Sequence, residues 1–172
     1  CGEQILPAYE MLKDYIDYFH VKDCLYEGGK VRPAGLGDGQ IVELLKKFAE
    51  DNDVTVLVKT SGIFSDTARL RAVLDDFACD QLAALWDIHH AYRDYDESAD
   101  TTIKNLGAYV KHVHLRDSDD EETYNLIGEG NLPIAEMMRA LSSIDYNGFI
   151  SLEWDPKWCE ELDDMEIIFS QF

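Results

Sequence analysis

The chain has 172 residues and carries 15 Lys and Arg against 35 Asp and Glu, a formal net charge of −20. Such a surface disfavours nucleic acid, whose phosphates need clustered Lys and Arg, and it disfavours an anionic membrane face. Hydrophobic residues make up 46% and aromatics 11%, too much for a disordered acidic tail, and the longest apolar runs fall far short of the ~20 residues that span a bilayer.

Taken in chain order, the first strand-like run is Ile16-Asp17-Tyr18-Phe19-His20-Val21, predicting a strand near 15–22. The glycines of Gly35-Leu36-Gly37-Asp38-Gly39 read as a turn rather than a phosphate loop, because no strand precedes them at the spacing such a loop requires. Ile41, Leu44, Leu45 and Phe48 then recur at helical spacing. Val54–Val58 predicts a strand over 54–59. Ser65-Asp66 caps a helix marked by Leu70, Val73, Leu74 and Phe77. Leu82–Trp86 and Val110–Leu115 predict strands over 82–87 and 110–116, and the acidic stretch 117–122 reads as a solvated loop. Pro133 opens a helix through Ile134, Met137, Met138 and Leu141, and Phe149–Trp154 predicts a last strand over 148–154.

Strand–helix alternation of this kind implies a parallel sheet with helical crossovers. A complete (β/α)8 barrel takes about 200 residues or more. The expected fold is therefore α/β, a partial TIM barrel of about five parallel strands with outer helices. Parallel sheets are normally covered on both faces, and open edges invite association. A second copy (a homo-oligomer) or a missing N-terminal barrel segment is expected to complete it. The chain opens at Cys1 without a Met, which reads as truncation or processing. Cys1, Cys24, Cys79 and Cys159 form no C-x-x-C pair, which suits free thiols in a reducing, cytoplasmic setting, and no signal or transit pattern is evident.

The chain also repeats itself. Phe19-His20-Val21-Lys22-Asp23 is similar to Val113-His114-Leu115-Arg116-Asp117, and Gly35–Ile41 is similar to Gly128–Ile134. Lys59 follows His20 by 39 residues, and Glu153 follows His114 by 39. Two copies of a strand–loop–helix–strand unit result, one ending in a lysine and the other in a carboxylate.

In parallel α/β barrels chemistry gathers at the C-terminal ends of the strands. The candidates there are Asp87 and His90, then His112 and His114, which share one side of a strand, and Glu153. One Asp, one His and one Glu from neighbouring strand ends form a mixed N/O donor set, suited to Mn2+, Mg2+ or Co2+. Such a cation would polarise an oxygen while a carboxylate moves a proton at the adjacent carbon. There are plainer readings: His20, His89 and His112 as hydrogen-bonded structural residues, Trp154 and Trp158 as core rather than the wall of a ligand site.

The runs Leu85-Trp86-Asp87-Ile88-His89-His90, Lys111-His112-Val113-His114-Leu115-Arg116-Asp117, Gly128-Glu129-Gly130 and Phe149-Ile150-Ser151-Leu152-Glu153-Trp154 resemble the xylose-isomerase-like TIM barrels, which are sugar and sugar-phosphate isomerases and epimerases. The resemblance implies that the last four strands supply metal ligands in the order Glu, Asp, His, Glu. Asp87, His114 and Glu153 match the last three, with Glu153 also a catalytic base. His90 matches a substrate-contacting residue, and Arg116 and Trp154 would lie against substrate. Lys59 stands where the first Glu belongs. Either it is a solvated or salt-bridged lysine, or its ammonium occupies the vacant ligand position. The first copy resembles the seventh and eighth strands, with His20 at the ligand position.

Residues 1–53 thus read as the tail of one barrel and 54–172 as the C-terminal half of another; alternatively, the five strands are β4–β8 of one barrel. The implied function is a divalent-metal-dependent isomerase or epimerase of a small sugar, sugar phosphate or polyol, acting by proton transfer next to a carbonyl. Lys59 is expected to weaken metal binding and epimerisation. The rival is a non-catalytic remnant that needs another chain to complete its fold. A related metal-dependent endonuclease shares the barrel, but the charge argues against it.

Overall fold

The computed structural model describes residues 5–15, 23–32, 35–120, 123–154 and 165–169. The predicted strand over 15–22, with His20, lies outside them except for Tyr15, which closes a short 3-10 turn. Trp158 and Cys159 also lie outside. The chain divides into two compact units, residues 1–56 with 79–82 and residues 57–78 with 83–172.

The first unit holds helix α1 (Ile5–Leu12), a short antiparallel hairpin of β1 (Asp23–Cys24) and β2 (Val31–Arg32), and helix α2 (Ile41–Asn52). The helical spacing predicted for α2 is realised: Ile41 and Leu44 are buried on one face. Tyr9 of α1 is buried as well, and α1 packs on α2. Lys13 and Lys47 bridge these helices at their surface through Asp51 and Glu10.

The parallel sheet follows. Its strands are β3 (Val56–Lys59), β4 (Leu82–Asp87), β5 (Val110–Leu115) and, after two short strands β6 (Asp117–Ser118) and β7 (Tyr124–Asn125), β8 (Ile150–Leu152), in the order β3-β4-β5-β8. The β4–β5 and β5–β8 pairs are parallel. The helices are α3 (Thr67–Phe77), α4 (Ile88–Tyr95), α5 (Ala99–Leu106), α6 (Ile134–Ser143) and α7 (Met165–Phe169). The fold is α/β with part of a barrel, as the alternation implies. The paired strands are shorter than the apolar runs; β8, for example, keeps only the three residues that reach β5.

Period-two alternation sorts the sheet into two faces. Trp86, Val113 and Leu115 are buried on one, while His112 and His114 are half-buried on the other. Asp66 caps α3 by accepting from the Ala68 N–H, as expected, and Ser98 caps α5 by accepting from Thr101. The buried Glu97 joins these two helix starts: Thr67 and Thr102 hydroxyls donate to its Oε1 at 2.5 and 2.6 Å.

The repeat seen in the sequence is reproduced at the level of single hydrogen bonds. Asp23 accepts from the backbone N–H groups of Cys24, Gly35, Gly37 and Gly39 at 2.9–3.0 Å. Asp117 accepts from those of Ser118, Gly128, Gly130 and Leu132 at 2.8–3.2 Å. Gly35 and Gly128 share a left-handed φ of 88° and 89°. A Cβ on Gly37 or Gly130 would collide with its carboxylate, so both positions require glycine. The Gly35–Gly39 run is thus a turn before a helix, and its partner is an aspartate. Burial pushes the Asp23 carboxyl up, but its four amide donors outweigh this and hold it below its usual value.

Removing the Asp117 carboxylate, 1% exposed, strands four loop N–H groups. Asp117→Ala is expected to cost about 2–3 kcal/mol, within the range for buried donors left unpaired, read from urea denaturation. Since the Asp23 carboxyl is depressed in the folded chain, its share of stability is complete above the unfolded value and is lost as pH falls through the lower folded value.

Candidate functional site

The carboxyl ends of the four strands meet in one cluster. Asp87 ends β4 and is at once the N-cap of α4: its Oδ1 accepts from the His89 N–H at 3.0 Å and the His90 N–H at 3.3 Å. No loop intervenes, so a carboxylate the helix needs is also fixed at the strand end. Thr60, just past β3, exchanges two hydrogen bonds with the Asp87 backbone, at 2.9 and 3.2 Å. In the parallel ladder His114 lies opposite Asp87 and Ser151 opposite His114. Glu153 follows β8 and donates its N–H to the Leu115 carbonyl.

Lys59 ends β3 and reaches into this cluster. Its Nζ lies 2.7 and 2.8 Å from the two Glu153 oxygens and 2.8 Å from Asp87 Oδ2. Arg116 Nη2 lies 3.1 Å from Asp87 Oδ2 and 3.2 Å from Glu153 Oε2. Its guanidinium also sits 4.9 Å over the Tyr124 ring, a stacking that holds the fork in place. Asp87 is fully buried. Burial pushes its carboxyl up, but the Arg116 guanidinium and Lys59 ammonium more than offset this and hold it well below the usual carboxylate range.

The histidines take definite tautomers from their partners. His90 Nδ1 donates to Asp94 Oδ2 at 2.9 Å, leaving Nε2 to accept from Arg116 Nη2 at 3.1 Å. The Ser65 hydroxyl donates to the same Asp94 oxygen at 3.1 Å. His114 Nδ1 donates to Glu153 Oε2 at 3.1 Å. His112 pairs with the Ser151 hydroxyl, and its ring lies 5.4 Å from that of His114, so the two histidines share a face as the spacing predicted. Burial, with the His114 ring alongside, lowers the His112 pKa.

The structure therefore brings together Lys59, Asp87, His90, His114, Arg116 and Glu153. Trp154 follows Glu153 and is half-buried, and His20 is outside the described residues. Asp94, Ser65 and Thr60 were missed from the sequence. Asp94 had a readable signal, since it lies four residues after His90 on one helix face; Ser65 ends a short 3-10 turn (Gly62–Ser65) and Thr60 lies just past β3, and neither role had a signal.

Among the described residues Asp87, His114 and Glu153 form a candidate metal-binding group, with ligand atoms all within 4.8 Å of one another. The donor chemistry suits a hard divalent ion, but the Lys59 Nζ lies among these oxygens at contact distance. As arranged, the cluster fits an ammonium rather than a dication.

Comparison with known proteins follows the same line. The family profile of the xylose isomerase-like TIM barrel matches residues 40–167. The chain belongs to that family. Over 117 residues it is 27% identical to an uncharacterised protein of Methanocaldococcus jannaschii, covering 66% of this chain and 40% of that one. Over 49 residues it is 37% identical to fructoselysine 3-epimerase of Escherichia coli O157:H7, covering 28% of this chain and 18% of the enzyme. The chain thus spans less than half the length of these curated relatives. The D-allulose 3-epimerase structure from Methylomonas sp. superposes with a TM-score of 0.58 at 22% identity, over 67% of this chain and 40% of that one, a likeness of fold. No helix among the described residues is long and apolar enough to cross a membrane.

His89, next to this cluster, is 1% exposed. Burial, with Arg116 nearby, lowers its pKa to about 4 against the opposing pull of Asp87. The unfolded chain then takes up the proton first. His89's contribution to stability is complete above about pH 6.5 and falls toward about pH 4. Nitrogen-15 NMR is expected to find the His89 ring singly protonated at about pH 5.

Proposed function

We propose that this chain supplies the C-terminal half of a cytoplasmic sugar isomerase or epimerase, acting on a small sugar or polyol by proton transfer next to a carbonyl. Residues 54–172 would be that half-barrel and residues 1–53 a tail-like segment of another. The remaining strands would come from a preceding segment or from a second copy. The observation that supports the reading is the convergence of one carboxylate, Glu153, with two cationic donors, Lys59 and Arg116, at the C-terminal strand ends.

In this reading the substrate carbonyl oxygen takes a hydrogen bond from Lys59 Nζ or Arg116 Nη2, released from Glu153 as the substrate enters. Glu153 then removes the proton from the adjacent carbon. The C–H electron pair becomes the C=C bond of an enediolate, and the carbonyl pair moves onto the oxygen that the cations face. Glu153 returns the proton to the former carbonyl carbon, where the C=C pair takes it up. The hydroxyl proton of the other carbon passes to the former carbonyl oxygen, and the electron pair left on the hydroxyl oxygen forms the new C=O bond. His90 and Trp154 would contact substrate hydroxyls and the ring face. Asp87 is held too firmly ionised to serve as a facing base. With Lys59 in place of a second Glu, one-base 1,2-isomerisation is favoured over epimerisation, which needs a base on each face. The divalent metal that the family resemblance implies enters no step.

A panel of aldoses and ketoses assayed for interconversion tests the reading. Activity that Glu153→Gln lowers by about 10²-fold or more is expected. A folded protein that neither binds nor converts any sugar of the panel would instead favour the non-catalytic remnant, for which the occupation of both Glu153 oxygens by Lys59 already speaks.

A further inference from the structure

We infer that the Lys59 ammonium is the resident cation of this site and excludes a divalent ion from the Asp87–His114–Glu153 group. The inference stands on lone-pair accounting and does not depend on the proposed activity. An ammonium has three N–H donors and a carboxylate oxygen has two acceptor positions. Lys59 Nζ faces three oxygens, Glu153 Oε1, Glu153 Oε2 and Asp87 Oδ2, each at 2.7–2.8 Å. Its donors are therefore all used.

The acceptors are nearly all used as well. Asp87 Oδ1 serves the His89 and His90 N–H groups. Asp87 Oδ2 serves Lys59 and Arg116. Glu153 Oε2 accepts from Lys59 and His114, with Arg116 Nη2 in ionic contact at 3.2 Å. Because that oxygen only accepts, His114 Nδ1 carries a proton and offers no lone pair from that atom. Glu153 Oε1 keeps one acceptor position and His114 Nε2 keeps its lone pair. A dication entering the group would have to expel the ammonium from Asp87 and Glu153, or sit beside it and beside Arg116 against their repulsion.

The charge of the cluster agrees. The side chains of Asp87 and Glu153 are balanced by those of Lys59 and Arg116, so the group is neutral without any added ion. Replacing the lysine by a carboxylate would change this count by two and add a ligand. Replacing it by an apolar side chain would change it by one and free three acceptor positions.

The test is a Mn2+ titration of the full 172-residue chain, following free aquo-Mn2+ by EPR, with Lys59→Glu, Lys59→Met and Glu153→Gln alongside. Wild type is expected to show only weak, non-saturating binding to its acidic surface, unchanged by Glu153→Gln. Lys59→Glu is expected to gain a one-to-one site at least about tenfold tighter, lost again when Glu153→Gln is added. Lys59→Met should gain less. It decides the matter if the Glu variant fails to fold, as judged by circular dichroism. Saturable one-to-one binding by wild type that Glu153→Gln abolishes overturns the inference, whatever the variants do. So does a folded Lys59 variant that binds no better than wild type. A protein that excludes Mn2+ yet converts no sugar would sink the proposed function and leave this inference standing.

Discussion

Asp87 is a fully buried carboxylate at a point where a parallel strand turns without a loop into a helix. A charge so placed is tolerated only if it is paired and hydrogen-bonded on every side. One of its oxygens is spent on the helix N-terminus, where the macrodipole also favours it. The other must find cations, and those cations arrive from neighbouring strand ends, Lys59 from β3 and Arg116 just beyond β5. The same two cations then hold Glu153 beyond β8. The cluster is thus as much a fastening of four strand ends as a reaction site.

This double duty shapes what the site can do. The helix-facing side of the sheet is apolar, with Trp86 and Val113 at 1% and 0% exposure. The opposite side carries His112, His114 and Glu153: His112 pairs with Ser151, and His114 and Lys59 pair with Glu153. Water or substrate entering there competes with bonds already made. A group released from such a network keeps its partners within reach, which favours short proton movements over large rearrangements.

Much of this was legible in the sequence. Apolar, β-rich runs placed β4 and β5, and period-3.6 patterns placed α2, α3 and α6, because those helices bury one face each; α4 and α5, between β4 and β5, were not read. The matching distances from His20 to Lys59 and from His114 to Glu153 exposed the repeat. Family order singled out Lys59 as the odd residue among ligands. Sequence spacing had no way to show that its ammonium would bridge the remaining ligands, since Lys59 and Glu153 are 94 residues apart. The support of His90 by Asp94 and Ser65 was hidden for a similar reason: half of it is helical spacing and half is a crossing from a short 3-10 turn that only the fold creates. The aspartates of the repeat were visible, but their role was not, because their partners are backbone amides and carry no side-chain signature.

Those two aspartates bear on how such a chain can arise. Each gathers its own loop around one carboxylate, using only atoms from within its own copy. The hairpins differ by one residue in length, with Cys24 paired to Val31 and Ser118 paired to Tyr124, yet the loops close in the same way. A segment that closes itself can be copied, moved or spliced without renegotiating its turn with the host. Recombination that breaks a barrel between such cassettes leaves each with its local geometry intact, and the cost falls on whatever the cassette's last residue must meet. In one copy that residue is a glutamate and in the other a lysine.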